Sequence, residues 1–313
     1  MNKYSIYQNK YNESKNLYDY FKNFSIYTWE RLKFHAENLK FSALRETTLN
    51  ENFWDGFINL MEYPVNLRLF HAKDERVNGD DFEIFIEIMP NQFIYFPCQA
   101  KKIYSNEGYQ AINHLVGKDN PLQQISNLID YAKGKGFPIY LLFNYSKNDF
   151  NSLNHQKELF GCTIIDAFFI KNNYFDSEKN TVKTLYFKDL HPHPAKPLIS
   201  ILDLINSDFP NSLKTIFDTL KVLPSLRYYT EAQLTSDGRF FEINPSEDEK
   251  KAMYVLSKNN LETLWKAEYK NYDRDFLPRH RILLTLKTIE KRKTNLSIKT
   301  NINQNEQHYY SAN

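Results

Sequence analysis

The sequence predicts an α/β protein whose mixed sheet is covered on both faces, and three observations carry that prediction. Segments with the two-residue period of strands succeed one another directly at 65–70, 81–89 and 92–101. A helical segment then separates them from an apolar, strand-length run, Pro138 to Asn144, of the kind that is buried on both faces. Another helical segment precedes them. The order helix, three strands, helix, strand combines a hairpin with a crossover, which a covered α/β sheet accommodates.

Each element has a local cause. In residues 1–45 the aromatic and aliphatic positions Tyr18, Phe21, Phe24, Trp29, Leu32 and Leu39 recur at helical spacing, which predicts one or two helices packed on the sheet. Thr47 or Thr48 is a candidate cap for a helix from about Leu49 to Met61 that Pro64 ends. Phe82, Ile84, Ile86 and Ile88 mark one face of the second strand, and Pro90-Asn91 turns the chain into the third. Asn120-Pro121 opens a helix to about Lys133, which Gly134 and Gly136 stop. Farther on, 163–170 and 181–187 read as strands, 198–205 as a helix, and 226–234 with 239–243 as a hairpin about Ser236-Asp237-Gly238. Ser246-Glu247-Asp248-Glu249 starts a helix to about Tyr269, and a last helix spans about 278–291. The proline-rich run Leu190 to Pro197 serves as a boundary. The resulting organisation is a helical segment 1–45, a core 46–190, a helical or mixed region 191–293 and a polar tail 294–313 expected to be disordered.

Composition narrows the function. The 313 residues carry 40 Lys+Arg against 38 Asp+Glu, a net charge of +2, which argues against a uniformly basic coat protein but leaves room for a local basic cleft. With 42% hydrophobic and 16% aromatic residues the chain is not a disordered one. A mean hydropathy of −0.62, with no apolar run near the length of a membrane span, excludes a spanning helix, so no membrane partner is expected. The polar N-terminal residues lack the apolar stretch of a secretory signal, and two cysteines, Cys98 and Cys162, fit a reducing cytoplasm. Two cysteines alone make neither a disulfide framework nor a four-ligand zinc site.

The residues with chemistry to offer lie at one end of the hairpin. Alternation puts Asp81 with Glu83 on one face of the second strand, and Gln99 with Lys101 on one face of the third. Because the two strands are antiparallel neighbours, Asp81, Gln99 and Lys101 should converge at one edge of the sheet. Glu83 and Lys101 also interrupt otherwise apolar strands, where a charge needs a partner. An acid, an amide oxygen and waters suit Mg²⁺ or Mn²⁺, and a lysine beside the ion can orient water and offset charge at a phosphate under attack. The simpler alternative is a cross-strand ion pair between Asp81 and Lys101 on an exposed face.

Asp81 followed eighteen residues later by Gln99-Ala100-Lys101, within helix, three strands, helix, strand, resembles the PD-(D/E)xK restriction-endonuclease-like superfamily. The similarity is to its Mrr-like branch, in which glutamine replaces the acid of the last motif, and it covers about residues 45–145. The resemblance implies a restriction-endonuclease-like core, a three-strand meander with its helices and fourth strand, flanked by helical regions. It further implies Asp81 as principal metal ligand, Gln99 as a carbonyl ligand, and Lys101 acting at the water and the scissile phosphate. Members often add an acid from the first helix, here Glu51 or Glu46, and a glutamine from the helix after the lysine, here Gln123 or Gln124. Glu83 is either a second ligand or a partner for Lys101. Gln99 leaves the site one charge short of the usual set.

The expected activity is therefore Mg²⁺- or Mn²⁺-dependent hydrolysis of phosphodiester bonds in DNA, with defence against foreign DNA following by analogy alone. Nucleic acid is the expected partner, approached through Lys102 and Gln124 with Lys118, Lys133 and Lys135 nearby. A homodimer is the assembly that cutting both strands suggests. The alternative is an inactive nuclease fold that binds nucleic acid or protein. Two other features are weaker. His191-Pro192-His193 has a metal-binding spacing but reads better as a proline-stiffened surface loop. Arg274, Arg279, Arg281, Lys287, Lys291, Arg292 and Lys293 form a basic run that either grips a phosphate backbone or is a solvated helix face.

Overall fold

The computed structural model describes residues 3–38, 44–63, 65, 67–72, 82–109, 112, 115–116, 122–147, 157–176, 178, 181–205, 209–218, 226–243 and 280–285. Nine strands form one mixed sheet: β1 (Leu67–Ala72), β2 (Phe82–Met89), β3 (Gln92–Lys102), β4 (Ile139–Phe143), β5 (Cys162–Asp166), β6 (Lys196–Pro197), β7 (Tyr228–Tyr229), β8 (Phe240–Glu242) and β9 (His280–Leu284). Their order is β6-β5-β4-β3-β2-β9-β1-β8, with β7 paired to β3. The expected hairpin is present: β2 and β3 are antiparallel, with Phe82 opposite Cys98 and Ile86 opposite Ile94. Asn91 at the turn takes φ 55°, a conformation asparagine tolerates better than most residues. The expected crossover is present too, since β4 lies parallel to β3 with Cys98 opposite Ile139 and Lys102 opposite Phe143.

The first strand of the expected meander is displaced from the second. β9 lies between β1 and β2, with Ile282 opposite Leu69 in an antiparallel pairing and opposite Ile84 in a parallel one. A helix was expected over this segment. His280-Arg281-Ile282-Leu283-Leu284 is a short run buried at every position, and such a run has no periodicity to separate strand from helix.

Two cores cover the two faces. Helices α1 (Lys3–Asn12), α2 (Leu17–Asn38) and α3 (Glu46–Leu60) lie over the face that carries Phe82, Ile84, Ile86, Ile94, Phe96 and Ile282. Phe24 of α2 packs against Phe53 of α3 at 5.2 Å between ring centres, and Phe53 meets Phe82 edge-on at 5.3 Å. The opposite face holds a smaller core of Phe70, Phe85, Phe93, Tyr95, Leu234, Phe240 and Leu283. α3 begins three residues earlier than expected. Arg45 takes the cap position without a side-chain bond, so Thr47 and Thr48 lie inside the helix.

The proline-rich run is part of the same body. Leu190, Ala195, Leu198, Ile201 and Leu204 join the larger core, residues 196–197 pair with β5, and β7, β8 and β9 complete the sheet begun by earlier strands. Two local readings change for identifiable reasons. Asp166 accepts a hydrogen bond from the Phe168 amide and caps a helix over Ala167–Tyr174, which ends the strand expected over 163–170. Thr230 and Gln233 form a capping box that starts a short helix, Glu231–Thr235. The expected hairpin is thus replaced by strand, helix, strand, and β8 pairs with β1 instead of β7. The helix expected from 246 lies outside the described residues. Among the described residues no helix is long and apolar enough to cross a membrane.

Gly161, just before β5, permits a close approach. A β-carbon there would lie 1.9 Å from the Ser25 carbonyl oxygen of α2. Neither backbone can yield without moving the helix off the sheet. Gly161→Ala is therefore expected to destabilise the protein by about 2 kcal/mol or more, read as a lower urea midpoint. An unchanged midpoint would contradict this packing.

Candidate functional site

The end of β3 carries the first candidate. Lys101 is 4% exposed, and its Nζ lies 3.6 Å from Glu46 Oε1 in the first turn of α3. The other oxygen of Glu46 accepts a hydrogen bond from the Lys102 amide at 2.8 Å. One carboxylate thus ties the end of β3 to the start of α3. Gln99 is buried and lies two residues earlier, on the face of β3 that Lys101 shares.

Gln124 opens α4 (Gln124–Ala132) at the same end of the sheet. The helix runs against β3: just after its C-terminus the Phe137 amide donates to the Tyr95 carbonyl at 2.8 Å, and Tyr131 lies 6.4 Å from Tyr95 between ring centres. Seven helical residues earlier, about 10 Å along the axis, Gln124 is level with Cys98–Gln99. Its Oε1 is buried and accepts no hydrogen bond from the described residues. A buried amide oxygen in that condition is costly unless something else satisfies it.

Other predicted site residues are not gathered there. Asp81 and the side chain of Gln123 lie outside the described residues. Glu51 is exposed and sits about one and a half turns along α3 from Glu46, so Glu46 is the helix acid that meets Lys101. Lys102 is turned by strand alternation to the face opposite Lys101. It is buried, its Nζ donates to the Leu44 carbonyl, and burial lowers its pKa while Glu46 acts to raise it. It does not present its charge to a nucleic acid. Among the described residues no group of three or more His, Cys, Asp or Glu side chains is placed to hold a metal ion.

Glu83 belongs to a different site. It faces Pro97, four residues and about 13 Å along β3 from Lys101, and its partner is Arg281. Arg281 is 1% exposed and donates through Nε to Glu83 at 2.8 Å and through Nη2 to Asp237 at 2.8 Å, while Nη1 donates to the Leu234 carbonyl at 2.8 Å. Tyr95 and Tyr131 donate their hydroxyls to Glu83 at 3.0 and 3.4 Å. Burial pushes the Asp237 carboxyl up, but hydrogen bonds from Arg239 and Arg281 outweigh it and hold the carboxyl well below the usual range. Arg281, counted with a basic run in the sequence, is therefore an internal cation. The other members of that run lie outside the described residues.

Sequence reasoning missed this cluster. Glu83 was visible as a charge in an apolar strand, yet its partner is 198 residues away on a strand that the periodicity did not separate from a helix.

The chain belongs to DUF6615, a family of unknown function, which matches residues 17–300. That match starts at the first residue of α2 and takes in all nine strands, the Lys101 end of the sheet and the Arg281 cluster. No curated protein and no solved structure matches the chain.

The His-x-His run, also within the family match, is divided between core and surface. His191 is buried rather than on a surface loop: it stacks on Phe187 at 4.1 Å, and its Nε2 lies 2.9 Å from Thr163 Oγ1. Its Nδ1 lies 3.0 Å from the Phe187 carbonyl. His193 is exposed beside Asp218. Burial lowers the His191 pKa to about 3, with the Phe187 carbonyl acting weakly against it. The unfolded chain therefore binds a proton below pH ~6.5 that the folded chain refuses until about pH 3. Stability is expected to fall by about 3 kcal/mol from this group between pH 7 and pH 4. Urea midpoints at several pH values should show that slope in wild type and a shallower one in His191→Gln.

Proposed function

We propose that this protein is a metal-dependent nuclease with a restriction-endonuclease-like core, hydrolysing phosphodiester bonds in DNA at the end of β3. The observation that carries the reading is Lys101, a lysine held almost out of solvent at 3.6 Å from a carboxylate, with Gln99 on its face of the strand. The antiparallel β2–β3 pair, the parallel β4 reached through α4, and α3 packed over the sheet support it, since that arrangement is the one the motif requires. β9, inserted beside β2, is a departure from the expected meander.

The donor set suits a hard cation. Asp81, Gln99 and Glu46 would hold Mg²⁺ or Mn²⁺, and the buried oxygen of Gln124, without a hydrogen bond among the described residues, adds a further acceptor at that end of the sheet. When bound, the ion would supply positive charge at the phosphate and a more acidic water. The chain's own contribution is Lys101, whose ammonium is oriented by Glu46 and offsets negative charge that grows on the phosphoryl oxygens. Its burial strengthens that effect by excluding water. A role against foreign DNA rests on the superfamily resemblance alone.

A second reading, an inactive nuclease fold that binds nucleic acid or protein, draws on the neutral Gln99 and on the engagement of Lys101 by Glu46. Metal binding separates the two. Titration with Mn²⁺, monitored by electron paramagnetic resonance of the free ion, is expected to show binding by the wild type and its loss in Asp81→Ala. Equal binding by both proteins, or none by either, would favour the inactive fold.

A further inference from the structure

The Arg281 cluster forms the floor of a cavity of about 300 Å³ on the face of the sheet opposite α2 and α3, within the size range of small-ligand sites. Its aromatic lining comes from three elements. Tyr95 of β3 lies at the base, and the rings of Tyr131 (α4) and Tyr229 (β7) stand at 75° and 81° to it, with centres 6.4 and 6.1 Å away. Burial raises the pKa of all three, so they present neutral rings.

The charge of the cavity is unbalanced. Four cations line it, Lys135, Arg227, Arg239 and Arg281, against two acids, Glu83 and Asp237. The acids are consumed by two of the cations: Asp237 pairs with Arg239 at 2.7 Å and with Arg281 at 2.8 Å, and Glu83 pairs with Arg281. Lys135 and Arg227 are exposed and have no carboxylate partner among the described residues. Each is held over a tyrosine of the cavity, Lys135 at 4.2 Å from the centre of Tyr131 and Arg227 at 5.0 Å from that of Tyr229. Aromatic faces at depth and two uncompensated cations beside them suit a ligand that is flat and aromatic at one end and anionic at the other.

We propose that this cavity binds a nucleoside phosphate, with the base among Tyr95, Tyr131 and Tyr229 and the phosphate on Lys135 and Arg227. The inference goes beyond the nuclease reading and does not depend on it. The same chemistry fits a free nucleotide or one unit of a single strand, and in the second case the base would lie about 20 Å from Lys101 along the sheet.

The test is calorimetric titration of the full chain in EDTA, so that no cleavage intervenes. The probes are the four 5′-ribonucleoside monophosphates, a short single-stranded oligodeoxynucleotide, and the same strand carrying abasic residues. Binding is expected to weaken by at least about tenfold in Arg227→Glu and in Lys135→Glu, both changes at exposed positions that leave the core intact. Tyr229→Ala should weaken it similarly, and the abasic strand should bind poorly. Saturable binding of a monophosphate identifies a free nucleotide as the ligand, whereas binding of the intact strand alone identifies a strand unit. The proposal is overturned if neither probe binds, if the charge reversals leave binding unchanged, or if the abasic strand binds as well as the intact one. Because metal-dependent cleavage is not read in this experiment, its failure leaves the Lys101 reading standing.

Discussion

Arg281→Ala is expected to destabilise the fold by about 3–5 kcal/mol, more than any other substitution proposed for this chain. The guanidinium is 1% exposed, lies 4.0 Å from the centre of the Phe240 ring, and satisfies Glu83, Asp237 and the Leu234 carbonyl. Truncation removes packing, but the dominant cost is the Glu83 carboxylate, itself 1% exposed, left as a buried charge without its counterion. Arg281→Lys should recover little, because one ammonium cannot replace a fork that serves three acceptors. Glu83→Gln combined with Arg281→Met removes both charges and should recover at least about half of the loss. Urea denaturation of the three variants measures this. An Arg281→Ala protein within about 1 kcal/mol of wild type would show that the pair does not hold β9 in the sheet.

Lys101→Ala is expected to lower metal-dependent cleavage by about 10²–10³-fold, the scale of removing one positioned charge from a developing anion. The loss should appear in the rate of the chemical step and not in the fold. Glu46 retains its bond from the Lys102 amide at 2.8 Å, so the junction between β3 and α3 persists without the lysine. Lys101→Arg should remain impaired, since a planar guanidinium does not fit a position made for a compact ammonium at 3.6 Å from Glu46. Glu46→Gln should also reduce the rate, by weakening both the metal site and the orientation of Lys101.

Much of the sheet around the candidate site was legible in the sequence. The alternation of Phe82, Ile84, Ile86 and Ile88, the Pro90-Asn91 turn and the uniform apolarity of 139–143 each report one physical cause, burial on one face or on both. The opposite orientation of Lys101 and Lys102 follows from the same alternation. The sequence nevertheless points Lys102 toward nucleic acid, because its burial depends on Leu44 and α3, which the strand alone does not show. Glu46 and Glu51 could not be separated, since both lie on the same helix and only the packing angle of α3 decides which reaches β3. β9 was illegible for a different reason. His280 to Leu284 is buried at every position, and its pairing with β1 and β2 spans about 200 residues of sequence, a distance at which periodicity carries no information. The Thr230–Gln233 capping box was present in the sequence and would have revealed the short helix that interrupts the expected hairpin.

Cleavage itself is the most direct test of the role given to Lys101. The measurement is the digestion of plasmid, single-stranded DNA and RNA by purified wild type and Lys101→Ala, each with Mg²⁺, with Mn²⁺ and with EDTA. Wild type is expected to cut DNA only with the metal present, and Lys101→Ala is expected to lose that activity while keeping its melting temperature. Equal cutting by both proteins, or cutting that survives EDTA, would place the activity elsewhere and contradict the assignment of Lys101.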